Sequence, residues 1–168
     1  MLRALNPEWG SDGQLLALFY DVEKVKRPKK GSKAKFAAEI EGRLALEQIR
    51  DTRTGEVWAE SGQVITSEVA EHIAGSDLTE LDLLVDPEDP LIINSLKEDT
   101  SNNHEEALSA IYAKLRPGNP VQLEKARELL QDRFFNEARY SLGKVGRFRI
   151  SRKFNRPDAA NNGPLTLQ

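Results

Sequence analysis

At 168 residues, with 39% hydrophobic and 30% charged side chains, the chain carries enough apolar material for one sizeable core or two small ones, which excludes wholesale disorder. No apolar run approaches the roughly 20 residues of a membrane helix. The absence of cysteine excludes a disulfide framework, thiol nucleophiles, iron–sulfur ligation and cysteine-based zinc sites, leaving His72 and His104 as the only nitrogen ligands for a transition metal. Met1 to Leu5 lack the basic, apolar and small-residue sections of a signal peptide, so a soluble cytoplasmic protein with no membrane partner is expected.

The net charge of −3 conceals a strong asymmetry. Lys24 to Lys35 holds seven basic side chains and no acid, whereas Glu39 to Glu106 holds eighteen acids against four bases. Arg139 to Pro157 then brings seven more bases without an acid. A like-charged cluster repels itself unless solvent or an oppositely charged partner compensates it, and a phosphate backbone is the commonest such partner. Two solvated loops are the simpler account.

Taken in order, Ser11 with Gln14 three residues on forms a capping box, and Leu15, Leu18 and Phe19 repeat at helical spacing, predicting a helix from Asp12 to Tyr20. The stretch from Lys26 to Lys33 mixes proline, glycine and charge and reads as an exposed loop. Phe36, Ala38 and Ile40 alternate with Ala37 and Glu39, as Leu44 and Leu46 do with Ala45 and Glu47, predicting half-buried strands around a turn at Glu41-Gly42. Ile49 and Val57-Trp58-Ala59 flank another turn. Thr66 or Ser67 is placed to cap a helix from Glu68 to Ala74 ending at Gly75, and Leu78 to Val85 reads as a strand.

Asp86-Pro87-Glu88-Asp89-Pro90 is a breaker between an acidic β-rich part and a helical part. Asn103 and Glu106 cap a helix whose Leu108, Ile111, Tyr112 and Leu115 form one apolar stripe, stopped by Arg116-Pro117-Gly118. Asn119, with Pro120 and Gln122 behind it, is placed to cap a further helix reaching about Phe135. So short a connection favours an antiparallel pair. Beyond Tyr140, alternating Phe148 and Ile150 with interleaved arginines suggest an extended segment, and residues 157–168 are expected to form a mobile tail.

The fold class is therefore α+β: a small β-rich unit, an antiparallel helix pair and a returning extended basic segment. The expected divisions are an opening helical segment at 1–22, an acidic β-rich subdomain at 23–86 with its basic loop at 24–35, a helical subdomain at 91–156, and the tail.

Signatures of common enzymes are missing: no phosphate-cradling loop, dinucleotide turn, nucleophile elbow or zincin helix occurs. Glu68, Glu71 and His72 can share a helix face as a base or metal site, and His104 stands beside a helix cap, but ordinary polar surface explains both more simply. Asp82, Asp86, Glu88 and Asp89 resemble a hard-cation loop only loosely. The run from Arg139 to Asn155 differs, because bases interleave with Tyr140, Phe148 and Phe154. In an extended segment Arg147, Arg149 and Ser151 or Lys153 would share one face, a basic row over a strand anchored by Phe148 and Ile150. Arginine stems covering apolar surface would give the same pattern.

From Glu105 to Asn155 the chain resembles the lobe of the bacterial RNA polymerase β subunit. The resemblance rests on Glu106-Ala107-Leu108, Ile111-Tyr112, Leu115-Arg116-Pro117-Gly118-Asn119-Pro120, Phe134-Phe135, Arg139-Tyr140-Ser141-Leu142 and Val145-Gly146-Arg147, in that order and spacing. Leu2 to Leu5 with Leu15 to Phe19 is similar to the family's first helix, and Thr54-Gly55-Glu56 through Thr66 to its β-rich insertion. Asn119 stands where the family usually has an acid, and Ser141 where it often has aspartate. The chain starts and stops inside the pattern, with Leu165 to Gln168 looking like the start of another helix, so it reads as a piece of a longer subunit.

What the resemblance implies is membership in DNA-directed RNA polymerase, a nucleotidyltransferase of transcription. It implies a magnesium ion held by acids of the partner β′ subunit and no catalytic, cofactor-binding or metal-ligating residue in this piece. Expected partners are DNA, the remainder of β, and the β′, α and σ subunits, in a nucleoid-associated cytoplasmic setting. The lobe would form one wall of the DNA channel, with Arg147, Arg149, Arg152 and Lys153 contacting phosphates without reading bases. The alternative is a structural or protein-interaction module that does not touch DNA.

Overall fold

The computed structural model describes residues 1–28, 33–136, 138–140 and 142–157, and the chain divides into two units, Met1–Ala107 and Leu108–Gln168. The first unit opens with two short turns, helix α1 (Leu2–Leu5) and a 3-10 turn (Pro7–Trp9), then helix α2 (Asp12–Phe19). The capping box of α2 forms as the sequence predicts. Ser11 Oγ accepts from the Gln14 amide at 3.2 Å, and Gln14 Oε1 accepts from the Ser11 amide at 3.0 Å, satisfying two amides that the helix cannot. Leu15 and Leu16 are buried on its inner face.

A three-stranded antiparallel sheet follows, with β5 (Glu80–Leu84) between β1 (Val22–Lys26) and β2 (Leu44–Ala45). Register places Lys24 opposite Asp82 and Lys26 opposite Glu80. The hairpin β3 (Ile49–Arg50) and β4 (Val57–Ala59) pairs around the turn at 51–56, where Gly55 adopts φ +74°. Helix α4 (Ser67–Gly75) starts at Thr66, whose hydroxyl accepts from the Val69 amide at 3.4 Å. Its Ile73 and Ala74 join Val25, Phe36, Ile40, Ala45, Ile65 and Leu83 in one core. A second cluster of Leu16, Leu46, Leu84 and Ile93 lies beneath helix α5 (Leu91–Glu98).

The α+β class is observed, while four stretches differ from the reading of the sequence. Phe36, Ala38 and Ile40 form helix α3 (Lys33–Ile40), not a strand. Phe36 and Ile40 are both buried four residues apart, a helical spacing, and the alanines and glutamate between them, with Lys33 and Lys35 before them, favour helix. The basic stretch at 24–35 is not one exposed loop: Lys24 and Lys26 lie in β1 and Lys33 and Lys35 in α3, with 29–32 outside the described residues. Lys24 Nζ stands 3.5 Å from Asp82 and 3.9 Å from Glu80, so acids of the neighbouring strand compensate it.

Arg27 donates to the carbonyls of Ala74 and, at 2.7 Å, Ser76. A cation here satisfies free acceptors at the negative end of α4.

Helix α6 (His104–Leu115) opens on the expected cap, with Asn103 Oδ1 accepting from the Glu106 amide at 2.9 Å. Helix α7 (Leu123–Phe134) begins four residues after Asn119 instead of next to it, and Gln122 at its start makes no side-chain cap. Gly118 at φ +84° and the restriction that Pro120 puts on Asn119 hold the connection open, and the helix starts where Leu123, Ala126 and Leu130 begin their helical spacing. In the second unit Leu108, Tyr112, Ala126 and Leu130 are buried, and Phe134 packs edge-on against Tyr140 at 6.2 Å between ring centroids.

Candidate nucleic-acid interface

The two units carry opposite charge. Residues 1–107 hold twelve bases and twenty-two acids, and residues 108–168 hold twelve bases and five acids, giving −10 and +7. The basic excess of the second unit is densest in helix α8 (Lys144–Lys153).

This helix is the fourth correction, since the sequence predicts an extended segment there. Gly143 in an extended conformation precedes the helix, and the Arg147 amide donates back to the Gly143 carbonyl at 3.1 Å. Alternation of Phe148 and Ile150 misleads because burial follows a different period. Arg147 is only 8% exposed and Ile150 is half-buried, three residues apart, whereas Phe148 is 63% exposed.

Helical geometry therefore splits the predicted phosphate row. Arg149, Arg152 and Lys153 are exposed, while Arg147 lies buried on the opposite side. The outward face consists of two adjacent rows at four-residue steps, Lys144-Phe148-Arg152 and Val145-Arg149-Lys153, with about 6 Å of rise per step. Lys144 is a member that strand geometry conceals and that a 3.6-residue period brings into line. Lys153 Nζ also sits 5.7 Å from the centre of the Phe154 ring, a cation–π contact. Ser141 lies outside the described residues.

Four of the other candidate residues, His72, His104, Asp82 and Asp89, have structural employment. His72 stacks near Trp58 at 6.0 Å. His104 Nδ1 lies 2.6 Å from the Arg3 carbonyl; a carbonyl only accepts, so Nδ1 carries the proton. Asp82 pairs with Lys24. Asp89 Oδ1 accepts from the Leu91 amide at 2.9 Å just before α5, while its carbonyl accepts from the Tyr20 hydroxyl at 2.6 Å. Among the described residues no group of three or more His, Asp or Glu side chains converges to hold a metal ion. No helix among them is long and apolar enough to cross a membrane.

The chain belongs to the family described as RNA polymerase Rpb2, domain 2, which matches residues 64–168. It is 43% identical over 157 residues, 91% of the chain, to the DNA-directed RNA polymerase subunit beta of Rhodopirellula baltica, covering 12% of that subunit. To the subunits of the same description from Fusobacterium nucleatum and Leptospira biflexa it is 35% identical over 68% of the chain and 31% identical over 86%, covering 10% and 12% of their lengths. The chain thus spans about an eighth of the length of the curated relatives it matches.

Proposed function

We propose that this chain acts as the lobe part of a β subunit in DNA-directed RNA polymerase, lining the DNA channel and taking no part in bond formation. The catalytic magnesium would be held by β′, and the remaining β segments, α and σ would complete the assembly in the nucleoid-associated cytoplasm. The observation that carries this reading is the outward face of α8, where Lys144, Arg149, Arg152 and Lys153 are exposed together on the unit of charge +7. A helix offering cations without carboxylates attracts phosphate oxygens.

Gel-shift titration of the chain with duplex and single-stranded DNA tests the proposal. Binding that is indifferent to sequence and weakens steeply with salt supports it. Replacing Arg149, Arg152 and Lys153 by alanine should weaken binding, and an unchanged affinity would count against it.

Val145 and Phe148, 69% and 63% exposed, favour a second reading in which the same face meets another protein of the transcription complex. Capture of a polymerase subunit without any DNA binding would select that reading.

A further inference from the structure

Phe148 and Phe154, the two aromatic rings of the basic segment around α8, are each 63% exposed. In the row through Phe148, Lys144 stands one turn before the ring and Arg152 one turn after it, each about 6 Å along the axis. Residues 138–157 contain no carboxylate. The end of the helix is fixed in place. Asn155 takes φ +52°, and the Arg156 amide donates to the Ser151 carbonyl at 2.9 Å, the six-to-one bond of a Schellman turn. That turn leaves Phe154 at the tip of α8, with Lys153 Nζ over its ring.

We propose that α8 holds an unpaired nucleic-acid strand, stacking one base on Phe148 and another on Phe154 while Lys144, Arg149, Arg152 and Lys153 hold its phosphates. This rests on the reading of α8 as a phosphate-contacting face and adds which form of polyanion fits it. A phenylalanine ring has no hydrogen-bonding group with which to read a base edge. In a duplex the faces of the bases are covered by their neighbours, so an exposed ring finds only sugar, phosphate and groove edges. An unpaired strand bares those faces, and every base has one, so rings set among cations retain it without reading its sequence. An apolar protein surface laid on Phe148 would cover the ring but strip water from Lys144 and Arg152 on either side without supplying acceptors, which is costly. A strand supplies an aromatic face and anionic oxygens together.

The test is fluorescence anisotropy of the full chain with four labelled probes: an oligothymidylate, an oligouridylate, a strand of abasic spacers with the same number of phosphates, and a DNA duplex. The two strands that carry bases should bind about tenfold more tightly than the abasic one. Phe148→Ala should weaken oligothymidylate binding about tenfold while leaving the abasic strand and the duplex as they are for the parent. Phe148→Tyr, which keeps a ring, should bind as the parent does, and Phe148→Leu, which keeps only apolar bulk, should fall with Phe148→Ala. The uridylate arm separates a DNA strand from an RNA strand; binding of only one of them would show that the sugar, not the base face, is read, and would overturn the proposal. Equal affinity for the abasic strand, or indifference to Phe148→Ala, would overturn stacking and leave the phosphate contacts standing. Weaker duplex binding by Phe148→Ala would place the ring in a groove and overturn it as well. Absence of salt-dependent binding to every probe would instead remove the phosphate-contacting reading, and this proposal with it.

Discussion

The guanidinium of Arg3 donates from Nε to Asp99 Oδ2 at 3.1 Å, joining residues 96 positions apart. Arg3 is 2% exposed, pairs also with Asp12, and donates to the Gly10 carbonyl at 2.8 Å. One side chain thus ties α1, the start of α2 and the segment after α5 together, while its own carbonyl holds His104 at the head of α6. Burying a cation is tolerable only because each of its faces meets an acceptor.

Replacing Arg3 by methionine keeps much of the apolar stem and removes the guanidinium's bonds to Asp99, Asp12 and Gly10. Stability measured by urea unfolding should fall by about 2–4 kcal/mol, somewhat less than for a fully enclosed pair because both carboxylates retain contact with water. A loss below about 0.5 kcal/mol, the scale of an ordinary surface pair, would show that the cluster contributes little.

Asp99 also gives the fold a pH dependence of known sign. Burial alone would raise its pKa, but hydrogen bonds from the Ser101 hydroxyl and amide and the neighbouring Arg3 outweigh burial and hold it below 3.8. A carboxyl depressed in the folded state contributes stability above its unfolded pKa and loses it as pH falls through the folded value. The urea midpoint of the parent should therefore drop below about pH 4 more steeply than that of Asp99→Asn. Parallel curves for the two proteins would remove Asp99 from the account.

Much of the first unit was legible because its signals are local. Ser11 with Gln14, Thr66, and Asn103 with Glu106 all cap where their spacing says. The elements that were not legible turn on what is buried. Phe36 and Ile40 satisfy both a two-residue and a four-residue period, and packing against α4 selects the second. In α8 the decisive inward residue is an arginine, which no apolar pattern reveals, so Phe148 and Ile150 suggested the wrong period. The basic segment itself was visible in the sequence; that Arg147 turns inward while Lys144 turns outward was not.

Gly62 provides a sharper local test. It adopts φ +71°, donates its amide to the Ala45 carbonyl at 2.8 Å, and a side chain there would meet Ile93 Cγ2 at 3.1 Å. Gly62→Ala should cost about 1–2 kcal/mol, combining backbone strain with displacement of α5. Gly42→Ala, at φ +78° with open space around it, isolates the strain alone and should cost less. Equal losses in thermal unfolding would show that contact with Ile93 adds nothing.

The buried and exposed bases of α8 should separate by phenotype. Arg147→Ala is expected to lower the unfolding midpoint, whereas Arg152→Ala should leave it within about 0.5 kcal/mol of the parent. A reversed pattern would place Arg147 outward and contradict the helical arrangement.

The central claim is that the outward cations of α8 hold a polyanion through its phosphates. Its most direct measurement is the salt dependence of duplex DNA affinity for the parent and for the Arg149→Ala/Arg152→Ala/Lys153→Ala chain. Loss of three phosphate contacts should weaken binding at low salt and reduce the steepness of the log–log salt slope by about 2–3. An identical slope and affinity in the two proteins would contradict the account.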